Sequence, residues 1–134
     1  WQLSISIKKC FTMIVGSQVM LKNIATNSDF NIGGQNIQKV DYTSDLGLTI
    51  DNNLKFSLHI NSIVRKSLAR GNPIFKCFQS KDTATLIRAF KTFVLPLLEY
   101  NSPVWSPYLL KDINLIESVQ RRFTKSIVGM HHLT

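Results

Sequence analysis

The sequence predicts an α+β fold: antiparallel strands and hairpins over residues 1–54, then a three-helix bundle over residues 55–134. Two observations predict it. Apolar and polar residues alternate in short runs up to about residue 50, and beyond residue 55 the apolar period lengthens to about 3.6. With 44% of 134 residues apolar, the chain can also build a core, which excludes a disordered tail.

The elements follow in order. Leu3, Ile5 and Ile7 alternate with Ser4 and Ser6, and Phe11 to Val15 precede Gly16-Ser17, so both runs read as strands closed by turns. Residues 18–24 and 31–40 continue the pattern, the second interrupted by Gly33-Gly34-Gln35-Asn36 as in a hairpin or meander. A last strand is predicted over residues 46–50, ended by Asp51-Asn52-Asn53, whose short polar side chains bond nearby backbone.

In the helical half, Phe56, Ile60, Ile63, Val64 and Ser67 share one stripe, with Ser57 placed to cap its start. Gly71-Asn72-Pro73 predicts a stop or kink, because Pro73 has no N–H and pushes Asn72 out of the helical region; a short turn over 74–78 follows. Ser80 or Asp82 then caps a helix from about Thr83 that buries Leu86, Phe90, Phe93 and Leu97, ending or kinking at Pro96. Residues 101–108, with two prolines, read as an ordered loop pinned by Trp105 and Tyr108. A final amphipathic helix over 111–128 buries Ile116, Val119, Phe123 and Ile127 and closes near Gly129.

Charge separates the halves. The formal charge is +8, from 16 basic and 8 acidic residues; residues 1–50 hold 4 basic and 3 acidic (+1), residues 51–134 hold 12 and 5 (+7). A one-sided excess of this kind is the footprint of a polyanion binder. Arg65, Lys66 and Arg70 fall on the polar side of the first helix and Arg121, Arg122 and Lys125 on that of the last, where together they would neutralise backbone phosphates. The competing reading is a merely solvated basic surface.

Several chemistries are excluded. A two-metal polymerase site needs carboxylates that share divalent ions, and the eight acids are scattered with no adjacent Asp-Asp pair. His59, His131 and His132 lack zinc spacing, and His59 beside the apolar stripe reads as packed or capping. There is no Gly-rich phosphate loop before a helix and no nucleophile elbow. The aromatics recur at helical spacing and read as core, with Tyr100 and Trp105 as exceptions. Cys10 and Cys77 read as reduced and packed. With no signal pattern and no apolar stretch of the ~20 residues a bilayer span needs, the expected location is intracellular, cytoplasmic or nuclear. A chain opening at Trp1 is expected to be a fragment of a longer polypeptide.

The run from Pro96 to Ser106, the helix-like residues 112–127, Asp45-Leu46-Gly47-Leu48-Thr49-Ile50-Asp51 and Phe56-Ser57-Leu58-His59-Ile60 together resemble the downstream end of reverse transcriptases from LINE-type, non-LTR retrotransposons. The resemblance implies that residues 1–54 are the last palm strands of an RNA-directed DNA polymerase and residues 55–134 its thumb-like domain. Lys9 would stand where a palm lysine donates a proton to the pyrophosphate leaving group, although Ser6 replaces the Asn common in that motif. Leu46 and Gly47 would form the primer grip, and Arg65, Lys66, Arg70, Arg121, Arg122 and Lys125 the nucleic-acid contacts. The implied partners are an RNA–DNA or RNA primer-template duplex and the remainder of the polymerase chain, with no membrane. The metal-binding aspartates are not in this segment, so the resemblance implies no cofactor here, Mg2+ for the parent polymerase, and an isolated chain without catalysis. The alternative is a non-catalytic, basic nucleic-acid-binding module from a decayed retroelement; a third reading is a basic domain that contacts acidic protein.

Overall fold

The change of period near residue 55 is where the chain divides, Trp1–Lys55 forming one unit and Phe56–Thr134 the other. The computed structural model describes residues 5–17, 30–79 and 82–127. The strand expected over 18–24, a cap at Ser80, closure near Gly129, and His131 and His132 lie outside the described residues.

Six short strands make up the first unit: β1 (Phe11–Thr12), β2 (Asn31–Ile32), β3 (Gln35–Asn36), β4 (Gln38–Lys39), β5 (Tyr42–Asp45) and β6 (Leu48–Asp51). They pair as β2–β3 and β5–β6, both antiparallel, and as β1–β4, which is parallel. Three sequence-based assignments change. Residues 7–9 form a 3-10 turn (Ile7–Lys9) instead of continuing an alternating strand. β1 ends at Thr12 rather than running to Val15. Leu46 lies in a turn, because β5 and β6 close through Leu46-Gly47, with φ of 46° and 81°. Positive φ at both central residues is what the right-handed twist of a two-residue hairpin demands. Gly33-Gly34 closes β2–β3 in the same way, at 57° and 80°. Among the described residues of this unit, Leu48 is the one buried apolar side chain.

The second unit contains α1 (Ser57–Cys77), α2 (Thr83–Phe93), α3 (Leu95–Glu99), α4 (Ser102–Trp105) and α5 (Leu110–Lys125). The three long helices are those the apolar period predicts; two short ones are added where a kink and a loop were expected. α1 passes straight through Pro73. Proline removes one bond to the carbonyl four residues back, that of Ala69, but both residues are exposed, so water reaches the freed carbonyl. On the opposite face Gly71 and Ile74 are buried and hold the helix down, and a Cβ on Gly71 would stand 3.8 Å from Val94 Cγ2. α2 starts as predicted, the Asp82 carboxylate accepting the Thr85 N–H at 3.0 Å. It stops before Pro96, which sits in the first turn of α3, where its missing N–H is not needed. Val94, at the junction, takes the buried place expected of Phe93, which is exposed. The expected loop contains α4: Trp105 is buried and its Nε1–H donates to Tyr100 O at 2.8 Å, whereas Tyr108 is exposed and pins nothing.

Ser57 does not cap α1. The capping position is Phe56, left-handed at φ 55°, and the Ser57 hydroxyl donates instead to Asp112 Oδ2 at 2.8 Å, in the first turn of α5. Asp112 is 4% exposed. Near the other ends of the two helices Phe75 packs on Phe123 with ring centroids 4.8 Å apart, and Phe90 of α2 packs on the same ring at 4.5 Å. The two contacts mean that α1 and α5 run side by side in the same direction. Ile60, Val64, Leu86, Val119 and Ile127 fill the core. Cys77, at the end of α1, is exposed rather than packed, and Cys10 is half-buried.

Removing a donor to a buried carboxylate costs about 1–3 kcal/mol. Ser57→Ala is therefore expected to lower the denaturant midpoint of the helical unit at an unchanged m-value, and Ser57→Thr to retain most of the stability.

His59 is 2% exposed and packs on Trp105, ring centroids 5.4 Å apart. Burial, with the Lys66 charge adding, holds its pKa below the ordinary 6.5. A base whose folded pKa is depressed contributes its full stability above its unfolded pKa and loses it as pH falls. The thermal midpoint is expected to drop as pH falls below 6.5 towards the folded pKa. His59→Phe, which keeps the ring against Trp105, should flatten that part of the profile; an unchanged slope would place the titration elsewhere.

Candidate nucleic-acid interface

α1 carries Arg65, Lys66, Arg70 and Lys76 and no acidic residue along its 21 residues. All four cations are exposed. Successive residues turn by about 100° around a helix, so the cations do not form one row. Arg65 lies towards α5, in an open groove with Leu58, Asn61, Ser62 and Leu68. Lys66 and Arg70 lie on the other flank, the side on which His59 meets Trp105; Lys66 is two turns from His59 and its charge reaches that ring. Between the flanks runs a crest formed by Leu58, Ser62 and Ala69, all wholly or partly exposed, and Lys76 continues it at the end of the helix.

The cations of α5 fan outward from the α1 contact. Arg122 lines the cleft of about 70 Å3 between the helices, together with Ser67, Leu68, Asn72 and Phe75. Lys125 is exposed beyond it. Arg121 is turned furthest away, and its guanidinium bonds the Glu117 carboxylate at 3.0 Å, both side chains being at least half exposed. Such a surface pair adds little stability but occupies the cation. Leu68 lines both the Arg65 groove and the Arg122 cleft, so these two cations flank one side of α1, while Lys66 and Arg70 lie across the crest and Arg121 is engaged. Asn61 and Asn72, absent from the sequence-based set, share the Arg65 and Arg122 side, the Asn61 Nδ2–H donating to Ser57 O at 2.7 Å. Their signal was the spacing of asparagines at four and seven positions from Arg65, about one and two turns.

In the strand unit, Leu46 and Gly47 form the apex of the β5–β6 hairpin, with Leu46 82% exposed. Lys9 is exposed at the end of the 3-10 turn. The nearby carboxylates serve the backbone and its side chains: Asp41 Oδ1 accepts from Asn52 Nδ2 at 3.3 Å, and Asp51 Oδ1 accepts the Lys55 N–H at 2.9 Å. Among the described residues no three of His, Cys, Asp and Glu come together in a way that would hold a metal ion. No helix among them is long and apolar enough to cross a membrane.

Comparison with known proteins finds a likeness to a nematode protein. Over 84 residues, 63% of this chain, the sequence is 23% identical to an uncharacterised protein of Caenorhabditis elegans, and the match spans 42% of that protein's length. No family model matches, and no solved structure does.

A leucine held left-handed costs about 1–2 kcal/mol relative to a residue that tolerates that region. Leu46→Asn is expected to recover about 1 kcal/mol, read as slower amide exchange at Thr43 and Ile50. Faster exchange would mean that the exposed leucine side chain stabilises the hairpin.

Proposed function

We propose that this chain is the end of the palm and the thumb of a reverse transcriptase of the non-LTR retrotransposon type, which grips the primer-template duplex without supplying the metal-binding aspartates. The observation that carries the reading is the acid-free exposed surface of α1, whose crest of Leu58, Ser62 and Ala69, continued by Lys76, is flanked by Arg65 and Arg122 on one side and by Lys66 and Arg70 on the other. A helix of this kind fits along a groove of a duplex, its cations facing the phosphates of both strands while the crest meets sugar and base edges by shape. The order of elements, a tight hairpin followed directly by the helical unit, agrees with a primer grip preceding a thumb. Leu46 and Gly47 would then position the growing strand, and Lys9 would stand near the leaving group. Mg2+ and the nucleotidyl transfer belong to the parent polymerase. The lack of a carboxylate cluster among the described residues equally suits the second reading, a non-catalytic nucleic-acid-binding module. An open reading frame that continues upstream into a paired-aspartate strand separates the two.

Binding of the full chain to an RNA–DNA primer-template, against double-stranded DNA, is the test. Affinity should fall steeply with salt and favour the hybrid. Arg65→Ala with Arg122→Ala should weaken binding to both and reduce the slope of log K against log salt by roughly 0.7–0.9 per residue, while Arg121→Ala has a smaller effect. Failure to bind either duplex at low salt would overturn the reading.

A further inference from the structure

On the side of α5 away from the α1 seam, a second cleft of about 210 Å3 opens between α2, α3 and α5. It exists because α2 stops at Phe93 and α3 restarts at Leu95, so that Leu95 and Ile87 line the space beside Phe90 instead of filling it. Its walls are Ile87, Phe90, Leu95, Phe123 and Ile127, and its polar lining is Lys91, Gln120 and Thr124. The Thr124 hydroxyl is committed to Gln120 O at 2.9 Å. Lys91 is exposed, is the one charged residue lining the cleft, and makes no ion pair among the described residues. No acid lines the space.

A cavity of about 150 Å3 with apolar walls takes a benzene ring, so this cleft has room for a ring with a short alkyl chain. A single ammonium at the rim of an apolar pocket selects the charge of what enters: tail inward, anion outward. We propose that the cleft is a binding site for a small amphipathic anion, an aryl or short alkyl carboxylate, with its tail against Phe90, Leu95 and Phe123 and its carboxylate bonded by Lys91 and the Gln120 amide. The site is separate from the duplex-binding surface and does not depend on that reading.

The probe pair is 3-phenylpropanoate and 2-phenylethylammonium, the same phenylethyl tail with opposite charge, each titrated into the full chain and followed by amide and methyl NMR. Saturable shifts are expected at Ile87, Leu95 and Ile127 with the carboxylate, about tenfold tighter than with the ammonium. Lys91→Gln, an exposed substitution that leaves the core intact, should bring the two ligands to similar affinity. Leu95→Phe, which fills the cleft, should abolish binding by both. No saturable shift with the carboxylate, equal binding of the two ions by the unaltered chain, or discrimination that survives Lys91→Gln would each overturn the proposal.

Discussion

The helical unit depends on the parallel pairing of α1 and α5, which is held by different chemistry at its two ends. At the start, the buried Asp112 carboxylate accepts from Ser57 across 55 residues of sequence. A carboxylate taken out of water is tolerated only where donors replace the water, so this bond fixes which turn of α5 meets which turn of α1. Further along, Phe123 is clasped between Phe75 and Phe90, and α2 is drawn against the same seam. The two clefts that border α5 among the described residues follow from this arrangement, one on each side of the helix.

The same pairing explains why proline does not end α1. A Gly-Asn-Pro sequence weakens a helix by local terms of a few kcal/mol. Here the Asn72 and Pro73 terms fall on the wet side, while Ser67, Gly71 and Ile74 on the dry side are buried. Tertiary packing outweighs the local preference because it acts over several turns and the missing bond costs one. At Pro96 the outcome is the opposite: Val94 is buried in the junction, and the chain restarts as α3 with proline in its first turn.

Strain gathers where the strand unit turns. Leu46, Leu54 and Phe56 all hold positive φ, a conformation that apolar L-residues adopt at a cost. Leu46 bears it at an exposed hairpin apex and Phe56 at the head of α1, in the place where a capping serine was expected. The helical unit distributes charge in a comparable way. Cations adjacent in sequence, Arg65 and Lys66, are turned about 100° apart around α1, while Arg65 and Arg122, far apart in sequence, border the same residue, Leu68.

Much of this was legible in the residues. The change of period near residue 55 predicted strands before and helices after; the stripe of Ile60, Ile63, Val64 and Ser67, the Asp82 cap and the burial of Val119 and Phe123 followed from spacing alone, because each depends on neighbours within a turn or two. The resemblance singled out the Leu46-Gly47 segment as a hairpin, whereas period-two alternation alone had put Leu46 in a strand. What the sequence by itself determined, then, was strands before and three long helices after residue 55, most of the stripes those helices bury, and the basic excess of the helical half. Only the tertiary structure decided that Ser57 serves Asp112 rather than its own helix, that α1 continues through Pro73, that Arg121 is engaged by Glu117, and that a cleft opens beside Lys91. These four depend on contacts between helices, or on which side of a helix meets water, and local spacing carries no information about either.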